Sequence, residues 1–132
     1  LVSVATIDDA RHVAMALPEV AETTSYGNRA WAVRGKKFAW ERPYSKADRK
    51  RFGSETPPPE PILAVIVDDL AEKEAVLVAG TCGVFTIAHF DGFAAVLIEL
   101  EAITDDDLRT ALLDGWLAAA PRALAALYLK EH

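Results

Sequence analysis

Arg34, Lys36, Lys37, Arg42, Lys46, Arg49, Lys50 and Arg51 crowd one short stretch and make up more than half of the chain's 14 lysines and arginines. A clustered positive surface does one kind of chemistry well: it neutralises phosphate oxygens. The whole run is therefore the candidate nucleic-acid-binding surface. The remaining sequence pulls the other way, because the formal net charge is −6, the sign opposite to that of a dedicated, tight DNA binder. Any contact with duplex DNA is expected to be weak and salt-sensitive. Lysine and arginine at hairpin ends and in loops also serve solubility and edge protection, which gives the run a second reading with no ligand.

Few other residues offer chemistry. His89 lies two residues from Asp91, so a carboxylate could hold its imidazole as a base or a ligand. Its place in an apolar segment fits a histidine closing a hairpin instead. His12 falls on an exposed helical face and His132 is terminal, so no histidine spacing suggests a metal site. The acidic run Asp105, Asp106, Asp107 follows Thr104, where capping and the helix dipole account for it. Cys82 is the single cysteine, which excludes an intrachain disulfide and leaves a poor metal ligand set. No nucleophile elbow or phosphate loop is present. These features point to a non-enzyme without metal or cofactor. The alternative to DNA contact is a protein- or small-ligand-binding module with a groove around His89, Trp116 and Arg122.

These residues must be positioned by a chain of 132 residues, enough for one domain over 1–132. The longest apolar run, 62–67, is too short to span a bilayer. A lone thiol and the absence of a basic-then-apolar start suggest a cytoplasmic setting with no membrane partner.

Helices are marked by caps. Thr6 precedes Asp8 and Asp9, and Ile7, Ala10, Val13, Ala14 and Leu17 share one face before Pro18. A second helix is expected over 69–79, with Leu70, Leu77 and Val78 inward and Glu72, Lys73 and Glu74 outward. After Thr104, the positions Leu108, Ala111, Leu112, Gly115, Trp116 and Ala119 repeat at helical spacing. Pro121 suits the start of a last helix with Leu124, Leu127 and Tyr128 as its stripe.

Strands fill the gaps. Segments 30–34 and 37–42 flank Gly35 and Lys36, a two-residue type II′ signature. That register opposes Arg34 to Lys37, Val33 to Phe38 and Trp31 to Trp40, placing both tryptophans on one core face. Only Tyr44 and Phe52 would then be free to stack on bases. A second hairpin is expected over 84–90 and 93–100 about Asp91-Gly92, with Phe85, Ile87, Val96 and Ile98 on one face. Segment 62–67 has no alternation, which suits a central strand buried on both sides or a strand whose faces the pattern does not distinguish. Residues 43–61 form a long polar, Pro-rich loop expected to be mobile or extended. The fold class is α+β: a single, mostly antiparallel sheet of about five strands with helices packed on it, in the order α-β-β-β-α-β-β-α-α.

Five segments carry a resemblance. Ala16-Leu17-Pro18-Glu19-Val20, Tyr26-Gly27, Val33-Arg34-Gly35-Lys36-Lys37-Phe38-Ala39-Trp40, Ala88-His89-Phe90-Asp91-Gly92, and Trp116 through Ala120-Pro121-Arg122 are similar, in that order, to the MmcQ/YjbR family. The resemblance implies a CyaY-like fold and DNA binding through a double-wing motif, with the 34–37 hairpin as a wing. Two departures stand out. Gly115 occupies a helical position where alanine is expected, and the Pro-rich loop carries no family motif.

Overall fold

A computed structural model describes residues 4–132; residues 1–3 of the expected 1–132 domain lie outside the described residues. The architecture is α+β, with six strands in one antiparallel sheet and five α-helices. The elements are α1 (Ile7–Met15), β1 (Val20–Ser25), β2 (Asn28–Val33), β3 (Lys36–Glu41), α2 (Lys46–Phe52), β4 (Ile62–Ile66), α3 (Leu70–Val78), β5 (Val84–Phe85), β6 (Ala95–Glu99), α4 (Asp105–Ala119) and α5 (Arg122–Glu131). A single 3₁₀ turn, Ala88–Phe90, sits between β5 and β6. The strand order is β1-β2-β3-β4-β6-β5.

The first strand was not expected. Two tight turns, Tyr26-Gly27 and Arg34-Gly35, fold β1, β2 and β3 into a meander, and all four turn residues have positive φ (49°, 80°, 46° and 82°). Positive φ at both central positions is the type I′ geometry, whose twist matches that of the flanking strands. The second turn is therefore Arg34-Gly35 rather than Gly35-Lys36, one residue earlier than the type II′ reading. Left-handed backbone at Arg34 costs about 1 kcal/mol, and its guanidinium is held by two hydrogen bonds to Glu19, at 2.8 and 3.0 Å.

The slip changes which side chains meet. Val33 pairs with Lys36, Ala32 with Lys37, Trp31 with Ala39 and Ala30 with Trp40, with an extra residue, Phe38, bulged between the second and third pairs. The expected pairs Val33–Phe38 and Trp31–Trp40 do not form. A one-residue slip sends a side chain to the other face, and Trp31 and Trp40 lie on opposite faces of the sheet. Trp31, Val33, Phe38 and Ala39 join the core beneath α1 and α4, whereas Trp40 packs against Ile62, Ala64, Phe90 and Leu97 on the other side.

β4 is buried on both faces as the unbroken apolar run implies, pairing with β3 and β6. The second hairpin is shorter than expected: only Val84 and Phe85 pair, opposite Ile98 and Leu97. Phe85 and Ile87 belong with Leu97 on the Trp40 side, and Ile98 belongs with Val84 on the Trp31 side, so the four residues expected on one face are divided.

Capping explains the helix starts. Thr6 and Ser45 each form a reciprocal capping box, with Asp9 and Asp48, and Asp69 and Thr104 cap α3 and α4. Helix α3 is rotated from its expected orientation. Leu70 and Val78 face solvent, and Lys73 is buried. Leu127 of α5 is also exposed, leaving Leu124 and Tyr128 as the packed part of that stripe. The 43–61 segment is neither structureless nor loose. It contains α2, Tyr44 Oη donates to the Pro58 carbonyl at 2.8 Å, and the Tyr44 amide donates to Glu60 at 3.1 Å.

Gly115 has a steric explanation. A Cβ there would lie 2.6 Å from Val65 Cγ1, 3.3 Å from the Ile66 carbonyl oxygen and 3.4 Å from that of Phe38. Glycine lets α4 press onto the sheet beside β3 and β4. Gly115→Ala should gain about 1 kcal/mol of helix propensity but lose about 1–3 kcal/mol to overpacking, for a net fall in stability by urea denaturation. In a Val65→Ala background the same substitution should cost less, because the nearest clashing methyl is gone.

Candidate functional site

The sheet face opposite α1 and α4 carries a cleft of about 610 Å³. Lys36, Lys37, Trp40 and Arg42 of and after β3 form one wall, and His89, Phe90 and Phe93 form the other. Tyr26 and Asn28 stand at its margin. Hairpin periodicity delivers the first wall: opposite Ala32, Lys37 shares the face of Trp40, which the Phe38 bulge turns toward the cleft, whereas Lys36, opposite Val33, projects from the other face. The second wall is the 3₁₀ turn and the residues after it.

The aromatic rings form a connected group. Trp40 lies 6.5 Å from Phe90 and 6.2 Å from Phe93, centroid to centroid, and Phe90 lies 5.5 Å from Phe93. Phe90 is 2% exposed and Phe93 46% exposed. The group thus has a buried base and an accessible rim, the geometry in which ring edges and faces pack favourably. The Arg42 guanidinium sits 5.5 Å from the centre of the Phe90 ring.

Beneath the second wall lies Lys73. Its Nζ donates to the carbonyl oxygens of Phe90 and Phe93, at 2.6 and 2.8 Å. Those carbonyls belong to the backbone that carries the cleft's aromatic rim, so α3 fastens that wall by one side chain. Burial pushes the Lys73 ammonium below the usual lysine range, and Asp91 partly opposes the shift. Placed between Glu72 and Glu74, Lys73 reads in sequence as part of a solvated face. Nothing in the spacing reveals its role.

The eight basic residues do not converge. Every arginine among them is engaged: Arg34 with Glu19, Arg42 with Asp48 at 2.9 Å, Arg49 with Glu60 at 2.8 Å, and Arg51 near Asp48 at 4.0 Å. The four lysines, Lys36, Lys37, Lys46 and Lys50, make no ion pair among the described residues. This division follows from the arginine fork, which matches a carboxylate at two points where lysine offers a hydrated point charge. Lys36, Lys37 and Arg42 line the cleft, whereas Arg51 borders a separate hollow with Asp48 and Phe52.

The alternative groove is also redrawn. His89 lines the cleft, but Trp116 is fully buried on the opposite side of the sheet. Its Nε1 donates to the Pro18 carbonyl at 3.0 Å and its ring lies 5.2 Å from Tyr128. Arg122 is exposed at the start of α5 and lies outside the cleft lining. Tyr44 and Phe52, expected to be free for stacking, instead pack edge to face at 5.6 Å. Burial, with Glu60 nearby, pushes the Tyr44 phenol up to about 12. Among the described residues no group of three or more His, Cys, Asp or Glu is placed to hold a metal ion, and no helix is long and apolar enough to cross a membrane.

Fold and site together define a small α+β protein whose antiparallel sheet carries a core on one face and an aromatic, lysine-bearing cleft on the other. The chain belongs to the family of uncharacterized protein Rv2570 of Mycobacterium tuberculosis and uncharacterized protein Mb2600 of Mycobacterium bovis. It is 42% identical to each over 129 residues, 95% of this chain and 96% of theirs. No protein-family model matches the chain, and no solved structure does.

The Arg42–Asp48 pair joins the cleft wall to α2. The Asp48 side chain is 1% exposed and that of Arg42 16%. Burial alone would raise the Asp48 pKa, but the Ser45 amide and Arg42 outweigh it and hold the carboxyl below its ordinary value of 3.8. A depressed acid stabilises the fold above its unfolded pKa, and that contribution is lost as pH falls through the folded value. Asp48→Asn, which leaves Arg42 without its counter-ion, should cost about 3 kcal/mol at pH 7. In denaturation measured across pH, the gap to wild type should narrow below 3.8.

Proposed function

We propose that this protein is a non-enzymatic module that binds a small ligand in the cleft between β3 and the Ala88–Phe93 segment. The aromatic group of Trp40, Phe90 and Phe93 carries the reading, because Trp40 and Phe93 offer ring surface at the mouth of a concavity above a buried Phe90. The volume of about 610 Å³ falls within the roughly 300–1,000 Å³ typical of small-molecule sites. The sole carboxylate in the lining, Glu41, is occupied by the Arg29 side chain at 2.9 Å and the Arg29 amide at 3.1 Å. That leaves it a structural group rather than a general base.

The test is a thermal-shift screen of small aromatic compounds against wild type, Trp40→Ala and Arg122→Ala. A ligand that binds only the folded chain raises its midpoint in proportion to occupancy. Compounds that stabilise wild type should lose their effect on Trp40→Ala and keep it on Arg122→Ala. Hits that act equally on all three would place binding away from the cleft.

One observation favours a second reading, a weak duplex-DNA binder of the MmcQ/YjbR kind. Lys36 and Lys37 directly follow the Arg34-Gly35 turn and hold no counter-ion among the described residues. Arg34 is engaged by Glu19, so two phosphate contacts replace the three that the sequence suggests. On this reading DNA binds at about 10⁻⁴ to 10⁻⁶ M, and the double variant Lys36→Gln/Lys37→Gln flattens the salt slope by about 1.8. A titration showing no binding at low salt removes it.

A further inference from the structure

We infer that the ligand of this cleft is a planar aromatic ring bearing an anionic group, with the ring against Trp40 and Phe93 and the anion held by Lys37. The inference rests on the small-ligand reading above and specifies its chemistry.

The charges of the lining decide the sign. Arg42 is neutralised by Asp48 and Glu41 by Arg29. That leaves Lys37, opposite Ala32 on the Trp40 face, exposed and without a carboxylate partner among the described residues, as the unbalanced charge of the site, while Lys36, opposite Val33, falls on the other face. The whole chain carries −6, so an unpaired ammonium group beside a concave, partly apolar surface focuses a positive potential against a negative background. An anion gains there, and a cation does not.

Ring shape follows from the walls. Phe90 is sealed beneath, while Phe93 is 46% exposed and Tyr26 fully exposed at the margin. Flat faces at such a mouth favour a flat π-system over a branched aliphatic one, because offset stacking and edge contacts add to area burial. Lys73 keeps this rim in place through the Phe90 and Phe93 carbonyls, so the ring site is formed before a ligand arrives.

Two probes that differ only in charge separate the claims: naphthalene-2-carboxylate and naphthalene-2-carboxamide, titrated while the Trp40 indole Nε1–H is followed by NMR. The carboxylate should shift that resonance and bind about tenfold more tightly than the amide, since a charge-assisted contact is lost with the charge. In Lys37→Gln, whose altered side chain is exposed and leaves the core untouched, the two probes should bind alike, and in Lys36→Gln the difference should persist. Salt at 1 M should weaken the carboxylate alone, because at about 3 Å of screening length exposed charges no longer attract. If both probes shift Trp40 with equal affinity in wild type, the anionic inference fails and the ligand cleft stands. If neither moves Trp40 up to millimolar concentration, both fall.

Discussion

The register between β2 and β3 is the constraint on which the rest depends. The Arg34-Gly35 turn and the extra residue at Phe38 set it. Together they let Trp31, Val33, Phe38 and Ala39 enter the core under α1 and α4, and they send Trp40 to the opposite face. Had Trp31 faced Trp40, a third indole would join Trp31 and Trp116 on the face where α4 presses so close that a Cβ on Gly115 would lie 2.6 Å from Val65 Cγ1. Close packing leaves no such room. The same bulge turns Trp40 to the wall of the cleft, so core and cleft share one backbone irregularity.

A second consequence concerns the basic stretch. Counted as eight like charges it looks like a polyanion surface, but folding divides it by residue type. Arginines fasten segments together: Arg34 joins the β2–β3 turn to Glu19, Arg42 joins the end of β3 to α2, and Arg49 joins α2 to Glu60 in the Pro-rich segment. The lysines stay at the surface. Asp48 sits at the centre of this system, buried, capped by Ser45 and bonded to Arg42, with Oδ1 otherwise unpartnered save for Arg51 at 4.0 Å. Breaking such a pair costs more than the pair itself contributes, because the survivor is left charged and desolvated.

Much of the architecture was legible because local signals agreed with it. Thr6, Asp69 and Thr104 all cap helices, the apolar repeat of α4 faces the core, and the unbroken run of β4 is central to the sheet. What could not be read depended on positions where no side-chain pattern distinguishes the alternatives. Arg34 adopts a left-handed conformation that glycine next to it would accommodate more cheaply, so the turn is displaced by one residue and every pairing beyond it changes. Strand β1 alternates weakly, with four of its six residues exposed in the middle, and gives no apolar period. Lys73 is buried by contacts to carbonyls that are 17 and 20 residues away. The cleft inherits these gaps: the sequence pattern singles out His89 and the lysines, but it places Trp40 in the core and Phe93 in a strand.

The central claim is that Trp40, and not Trp31, lies on the cleft face. It is tested most directly by exposing uniformly ¹⁵N-labelled protein to a soluble paramagnetic chelate and following the three indole Nε1–H resonances. Trp31, bonded to Glu22 at 3.1 Å, and Trp116, bonded to the Pro18 carbonyl at 3.0 Å, are both fully buried and should keep their intensity, while Trp40 broadens. Equal protection of Trp31 and Trp40, with a nuclear Overhauser contact between their rings, would restore the type II′ register and contradict the account.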